Sequence, residues 1–386
     1  MISYWQKTAW VECDYAVVGA GIIGLSAALS LKEREPRARV VVVERGLFPQ
    51  GASVRNAGFA CFGSLTEILH DCALNGKEQT ARLVAMRYEG LQRLRARLGD
   101  DACGFEHCGG GELLFERNLG ALERLEEIND LLAPIFGRSP FYRDDRALHD
   151  FGFEPRHVKA LVRTDFEGQI HSGLAVRGLA ELAEERGVRL LWGVELAAAE
   201  SGPTGAELTL KTALEHSTLR AAEGAALCAN AAIADFAPEL GITPARGQIL
   251  LTKPLPLVRF RGAFHFNEGF YYFRHLAAKD GMRILFGGGR NLDAETERTN
   301  ENALNPLIQN ELERLLRELI APRETEQIAI ETRWSGIMGF SPDKTPIIRR
   351  ISDKVVVGFG CNGMGVALGS LIGEQTAAAL LGGKAE

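Results

Sequence analysis

The chain has 386 residues, enough for two domains, and its 46% hydrophobic and 24% charged residues are the balance of a soluble globular enzyme. A net charge of −6 argues against nucleic acid as a main partner. No apolar run is long enough to span a membrane, and "MISYWQKTAWVECDY" lacks the basic-then-apolar order of a secretory signal, so the cytoplasm is the expected compartment.

In chain order, "DYAVVG" reads as a buried parallel strand. It leads into Gly19, Gly21 and Gly24, spaced G-x-G-x-x-G, and then into a helix of small residues. The first glycine permits a tight turn, the second lets the backbone approach a pyrophosphate, and the third lets the helix pack on the strand. Phosphates then lie at the helix N-terminus, where unpaired N–H groups and the helix dipole favour negative charge. "ARVVVVER" reads as the second strand and ends in Glu44, 20 residues after Gly24. A carboxylate there suits a ribose hydroxyl and disfavours a 2′-phosphate, so NADP is not expected.

The small-residue stretch "GASVRNAGFACFGS" follows, then a helical pattern over 65–98 with a break near Asn75-Gly76. "CGFEHC", Cys103 to Cys108, has no second Cys/His pair at zinc-like spacing, and the seven cysteines are scattered, so neither a metal nor a disulfide framework is expected. "GELLFE" reads as a strand, "ALERLEEINDLLAPIFG" as an amphipathic helix, "HSGLAVRGLAELAEERG" as a helix, "VRLLWG" as a strand, and "GAALCANAAIADFAPEL" as a strand running into a helix. From Arg246 the texture changes. "RGQILLTK", "RGAFHF", "GFYYFR" and "MRILFGGG" are short aromatic and β-branched runs separated by turn signals, which predicts an antiparallel sheet. "LNPLIQNELERLLRELI" reads as a helix, "KVVVGFG" as a last buried strand, and "GMGVALGSLIGEQTAAALL" as a final helix opened by Gly363, Gly365 and Gly369. Helix-and-strand units at both ends and in the middle, with mixed β material between, imply two domains that are each discontinuous.

Taken together these stretches resemble the FAD-dependent D-amino-acid oxidase superfamily, to which glycine oxidase, sarcosine oxidase and D-amino-acid dehydrogenases belong, over nearly the whole chain. "VVGAGIIGLSAALSL" is similar to its ADP-binding unit, "GASVRNAG" to its flavin-contacting loop, and "GQIHSGLAVRGLAELAEERGVRLLWGVEL" to the segment whose strand end touches the adenosine. "PARGQIL" resembles the crossover into the substrate domain, and "WSGIMGFSPDKTPII" and "GFGCNGMGVALG" the two C-terminal flavin-binding stretches. The resemblance implies an α/β fold: a Rossmann-like FAD-binding domain of residues 1–85, 150–235 and 335–386, and a mixed-sheet α+β substrate domain of residues 86–149 and 236–334. It implies FAD contacts at Gly19, Gly21, Ile23, Gly24, Glu44 and Arg45, at Ser53, Arg55, Asn56, Ala57, Gly58 and Phe59, at Val194, and at Gly336, Met338, Gly363, Met364, Gly365 and Val366. The N-terminus of the last helix would direct its dipole at the flavin's pyrimidine end.

The implied chemistry is oxidation of the C–N bond of a small amine or amino acid, by hydride transfer to the flavin N5. Such a reaction asks the protein for positioning and electrostatics and for no obligatory acid or base if the amine reacts neutral. Hydroxy-acid oxidation would want a base, usually histidine. Of the eight histidines none sits in a segment placed firmly beside the flavin; His275 comes nearest, and strand alternation turns it away from Arg274. The chain also departs from the family. The carboxylate-gripping arginine of "W-x-G-x-R" is Met338 here, a second arginine is matched by Gly363, the cysteine that attaches flavin in sarcosine oxidase-like members is matched by Gly336, and an oxygen-activating lysine falls near Leu285. Non-covalent FAD is therefore expected, and oxidase and dehydrogenase, like the electron acceptor, both stay open. So do two other readings, hydroxy-acid or glycerol-phosphate-like oxidation and a non-catalytic or sensing flavoprotein. If "FYYFR" is a strand, Tyr272 and Arg274 share a face; the family's second aromatic faces the substrate, which makes Tyr272 a wall of the site and Arg274 the expected carboxylate partner. Arg290, after "FGGG", is the second candidate, and Met338 completes the expected reacting end.

Overall fold

A computed structural model describes residues 3–383; positions 1–2 and 384–386, the outer ends of the expected FAD-binding segments, lie outside the described residues. Valine-rich runs that alternate with helices form the first sheet. Its parallel strands stand in the order Val355–Phe359, His216–Leu227, Glu12–Val18, Val40–Glu44 and Arg189–Trp192, with Ile347–Ser352 antiparallel at the edge. Both faces are covered, which is why "VVVV" shows no polar alternation. Tyr15, Val17, Val40 and Val42 meet the helices Ile22–Arg34, Ser172–Glu185 and Gly365–Leu380. Ala16, Val18, Val41 and Val43 meet Leu208 and Leu219, part of an antiparallel meander that grows from the long strand His216–Leu227.

The aromatic runs form the second sheet, in the order Ile330–Phe340, Thr243–Thr252, Gly281–Gly288, Tyr271–Ala278, Ala263–Phe266, Gly110–Phe115, Val158–Thr164 and Tyr142–Arg143. All pairs are antiparallel except Ala263–Phe266 with Gly110–Phe115. One face carries Phe264, Phe273 and Phe286, which pack with Phe153 and Phe260 and against the helix Pro306–Leu315. Among the described residues no helix is long and apolar enough to cross a membrane.

Three elements differ from the sequence reading. The expected helix after "GAALC" is a pair of 3-10 turns, Asn230–Asp235 and Pro238–Leu240, because Pro238 has no N–H to continue a helix. Val158–Thr164, inside the range 150–235 expected with the first sheet, pairs in the second. Ile330–Phe340 runs unbroken through the expected boundary between 334 and 335, since its backbone pairs with Thr243–Thr252 on both sides of that point.

The fingerprint helix and the C-terminal helix meet backbone to backbone. A Cβ on Gly369 would lie 2.6 Å from Ile22 Cγ2, and one on Gly373 would lie 2.5 Å from the Ile23 carbonyl oxygen. Ser26 and Ser370 share a buried hydrogen bond of 3.2 Å at the same crossing. Gly90, on the helix Lys77–Leu98, abuts the Ala367 carbonyl just as closely. Gly373→Val should push the two helices apart at a cost of roughly 1–3 kcal/mol or more, as overpacking does. Thermal unfolding would show a lower midpoint and weaker cofactor retention; an unchanged midpoint would mean that the crossing has slack.

Candidate active site

A cavity of about 1080 Å³ lies between the two sheets. Small-molecule sites usually measure roughly 300–1,000 Å³, so this one has room for a dinucleotide and a substrate together. Gly19, Gly21, Ile23, Glu44, Arg45 and Val194 border it, as do Ser53, Arg55, Asn56, Ala57 and Phe59, and Tyr272, Arg290, Gly336, Met338, Gly363, Met364, Gly365 and Val366. Three expected residues, Gly24, Gly58 and Arg274, do not.

At the fingerprint, Gly19 has φ +101°, and a Cβ there would lie 2.6 Å from the Cys228 carbonyl oxygen. Gly24 sits against the Gly19 carbonyl and 3.3 Å, measured from its would-be Cβ, from Val17 Cγ1, so it serves the helix–strand packing from behind. The helix has no side-chain cap at Gly21, and the Ile22 N–H donates to Ser53 Oγ at 3.1 Å. The C-terminal helix likewise begins at Gly365 without a side-chain cap. Two helix ends whose own N-cap residues supply no side-chain cap therefore face one cavity, a setting that favours phosphate and other anions. At the end of the second strand the Glu44 oxygens accept from the N–H groups of Ala20 and Gly46, each at 3.0 Å. That fixes the carboxylate at the cavity wall, and each oxygen keeps a lone pair for a hydroxyl.

The loop 52–58 is fastened to the second sheet and to the helix Ser172–Glu185. Arg55 Nη1 donates to Ser335 O at 2.9 Å and Trp334 Nε1 to Arg55 O at 2.9 Å, while Asn56 Oδ1 accepts from Gly58 N at 2.8 Å and Ser172 Oγ at 2.7 Å. A Cβ on Gly336 would lie 2.9 Å from Arg55 Cβ, so this position has no space for a side chain unless the loop moves.

Arg274 belongs to the same fastening and not to the cavity wall. Its Nε donates to Ala57 O at 2.6 Å and its Nη2 to Ile170 O at 3.3 Å, and the side chain is 6% exposed. Alternation does put it on the Tyr272 face, but two residues along a strand are about 7 Å, which carries it past the edge of the cavity. The expected carboxylate grip by Arg274 is therefore corrected; burial lowers its pKa to about 10, and the two carbonyls satisfy it. Gly58, φ +73°, lies directly beneath the same guanidinium.

Arg290 does border the cavity. Its guanidinium carbon lies 4.7 Å over the Phe340 ring, and among the described residues it makes no ion pair or hydrogen bond. The nearby Glu297 does not neutralise it, because Glu297 is taken by Arg246 at 2.8 and 2.9 Å, by Gln248 at 3.0 Å and by Asn305 at 2.9 Å. Beside it Tyr272, packed edge-on to Phe59 at 5.6 Å, has its phenol pushed up to about 12 by burial and so remains a neutral hydrogen-bonding group. Met338 packs against Gly247, whose would-be Cβ would lie 3.1 Å from Met338 Cε.

Sequence reasoning missed His265 and an acidic end of the cavity. His275 is structural: its Nδ1 accepts from Gly262 N at 3.1 Å, and its Nε2 lies 3.3 Å from Glu106 and 3.2 Å from Gln169. His265, by contrast, borders the cavity opposite Tyr272. Counting the register back from the hairpin turn Asn267–Phe270 would have found it. Glu67, His70, Asp71, Arg87, Glu268 and Lys344 line the other end, where Asp71 pairs with Arg87 at 3.7 Å and with Lys344 at 3.4 Å. Their segments are distant in sequence and share no motif.

The profile of the FAD dependent oxidoreductase family matches residues 14–379. The probable oxidoreductase OrdL of Haemophilus influenzae is 25% identical, covering 96% of this chain and 83% of its own. The gamma-glutamylputrescine oxidoreductase of Escherichia coli is 26% identical, covering 96% of this chain and 84% of its own. Among solved structures, L-proline dehydrogenase from P. horikoshii superposes with a TM-score of 0.76 at 17% identity, over 97% of this chain and 94% of that one. Since the family match runs from the first strand to the last turn of the C-terminal helix, this chain belongs to the FAD dependent oxidoreductase family.

Proposed function

We propose that this FAD-dependent oxidoreductase oxidises the C–N bond of a small amine or amino acid that carries an anionic group. The observation that carries this reading is Arg290, a cation without a partner among the described residues, beside Tyr272 in the same cavity as the dinucleotide fingerprint. Two relatives support it by name, one for gamma-glutamylputrescine and one for L-proline. FAD, when bound, supplies the acceptor for the hydride. The protein does the rest by positioning. Glu44 and the two helix ends would hold the dinucleotide, and Arg290 offers a planar fork to a carboxylate. Tyr272, Phe59 and Met338 form a largely apolar wall that excludes water from the reacting carbon. A second reading, hydroxy-acid oxidation, is favoured by one observation, the imidazole of His265 on that wall. An anaerobic screen of amines, D- and L-amino acids and hydroxy acids, read as bleaching of the flavin absorbance, separates the two. Amines or amino acids should bleach it; bleaching by hydroxy acids alone would overturn the proposal.

With glycine at position 336 and no thiol there, acid should release the yellow cofactor from the protein, whereas colour retained in the denatured protein would refute non-covalent binding. Glu44→Ala removes acceptors for the ribose, worth about 1.5–3 kcal/mol, and should weaken FAD retention by about tenfold or more in equilibrium dialysis. Arg290→Ala should raise the apparent KM for a carboxylate-bearing substrate by about ten- to a hundredfold and leave FAD bound. An unchanged KM would remove the arginine from the substrate's path.

A further inference from the structure

His265 stands between two partners in one cross-strand row. It pairs with Tyr272 on one neighbouring strand and with Glu112 on the other, and side chains paired in this way project from the same face of a sheet. Its ring borders the main cavity and also a second, small cavity of about 10 Å³, lined by Ser64, Glu112, Thr164 and Glu167. That is space for about one water. Ser64 Oγ and His265 Nε2, two polar atoms of this lining, are buried and make no hydrogen bond, and His265 is only 7% exposed. Glu112 accepts from the N–H and hydroxyl of Thr66, and Glu167 from the N–H groups of Phe62 and Gly63. Among the described residues neither carboxyl has a cation within ion-pair distance. One water would satisfy both orphaned atoms and reach the carboxyls.

We propose that His265 accepts the proton that the substrate's ammonium group must shed, and that a single internal water passes a proton on from Nε2 to the Glu112–Glu167 pair. An N–H bond of R₂CH–NH₃⁺ breaks and its proton joins the imidazole. A proton leaves the other ring nitrogen for the water, which delivers one to a carboxylate. The ring ends neutral, the carboxylate ends as a carboxylic acid, and no electrons move. The hydride of the oxidation then leaves a neutral amine, whose lone pair can form the C=N bond.

The surroundings suit this task. Burial pushes the imidazole down to about 4, so the ring is neutral at pH 7 and holds an extra proton only in passing. Burial, opposed by the Thr66 hydrogen bonds, brings Glu112 up to about 7, and burial brings Glu167 up to about 8 against its two backbone donors. Among the groups on neighbouring elements, Glu67 raises both carboxyls and is itself paired with Arg87 at 3.8 Å, which also faces Asp71. Cys61 is held as a thiol and Tyr272 as a phenol by burial, and Arg290 lies beyond Tyr272. As pH falls through about 7, Glu112 takes up its own proton and can no longer accept one, so the rate of flavin reduction should fall on that side.

The relay rests on the amine reading above, and its test is distinct from that of the reading. Anaerobic stopped-flow reduction of the FAD-bound enzyme, with an amine that bleaches it, is followed from about pH 6 to about pH 10. At pH 7 His265→Phe and His265→Gln should both reduce flavin about a hundredfold more slowly than the parent, with FAD content and apparent substrate affinity kept. The gap should close as pH rises and the substrate arrives already neutral. Glu112→Gln should abolish the acid limb near 7. Should the phenylalanine variant lose FAD, the glutamine variant decides. A glutamine variant as fast as the parent at pH 7, or one whose deficit persists at high pH, overturns the relay. If no amine bleaches the flavin, the amine reading itself falls.

Discussion

The site depends on one crossing. The fingerprint helix and the C-terminal helix touch at Gly369 and Gly373, where no Cβ stands between Ile22, Ile23 and the neighbouring turn. Side chains of ordinary size would hold two helix axes about 8–10 Å apart. Here the glycines remove that spacer, and both N-termini come to the same cavity. The helix Lys77–Leu98 repeats the device at Gly90, against the Ala367 carbonyl, so the C-terminal helix is clamped from two sides. Residues some 340 positions apart, such as Ser26 and Ser370, with a sequence separation of 344, thereby share one hydrogen bond and one electrostatic field.

The second constraint is the fastening of the loop 52–58. Arg55, Trp334 and Arg274 tie it to the second sheet, mostly through backbone carbonyls, and Asn56 ties it to the helix Ser172–Glu185. Carbonyl partners suit a cation that must be buried without a carboxylate beside it. They give several directed hydrogen bonds and leave no counter-charge to disturb a nearby anion site. Arg246 and Glu297 follow a different logic. They form a buried bidentate pair, joined by Gln248 and Asn305, and so take up a carboxylate that would otherwise compete for Arg290. The cavity thus holds an available cation at one end and mutually paired acids and bases at the other.

Much of this was legible in the chain. The glycine spacing, the valine-rich second strand and its terminal Glu44 are local patterns set by backbone geometry, and they fold as local rules require. The aromatic runs after Arg246 form the expected strands because turns and β-branched residues bound them. Alternation along Tyr271–Ala278 correctly put Tyr272 and Arg274 on one face. It said nothing about where that face stops being a cavity wall, which depends on the loop 52–58 packing over the far end of the strand. That is why Arg274 lies off the cavity wall while Arg290 borders the cavity.

The sequence by itself determined the dinucleotide fingerprint and the α/β pattern of the chain, because glycine conformations, strand periodicity and helix composition act over a few residues; the choice of FAD came from the resemblance of several motifs, in order, to a known family. Tertiary structure alone decided that Arg274 is taken by carbonyls while Arg290 is not, that His265 reaches the cavity and His275 does not, and that Val158–Thr164 pairs in the second sheet. Those outcomes follow from strand register and from competition among hydrogen-bond acceptors. A guanidinium takes whatever carbonyl or carboxylate the packing brings within about 3 Å, and that neighbour can be distant in the chain, as Ala57 is 217 positions from Arg274.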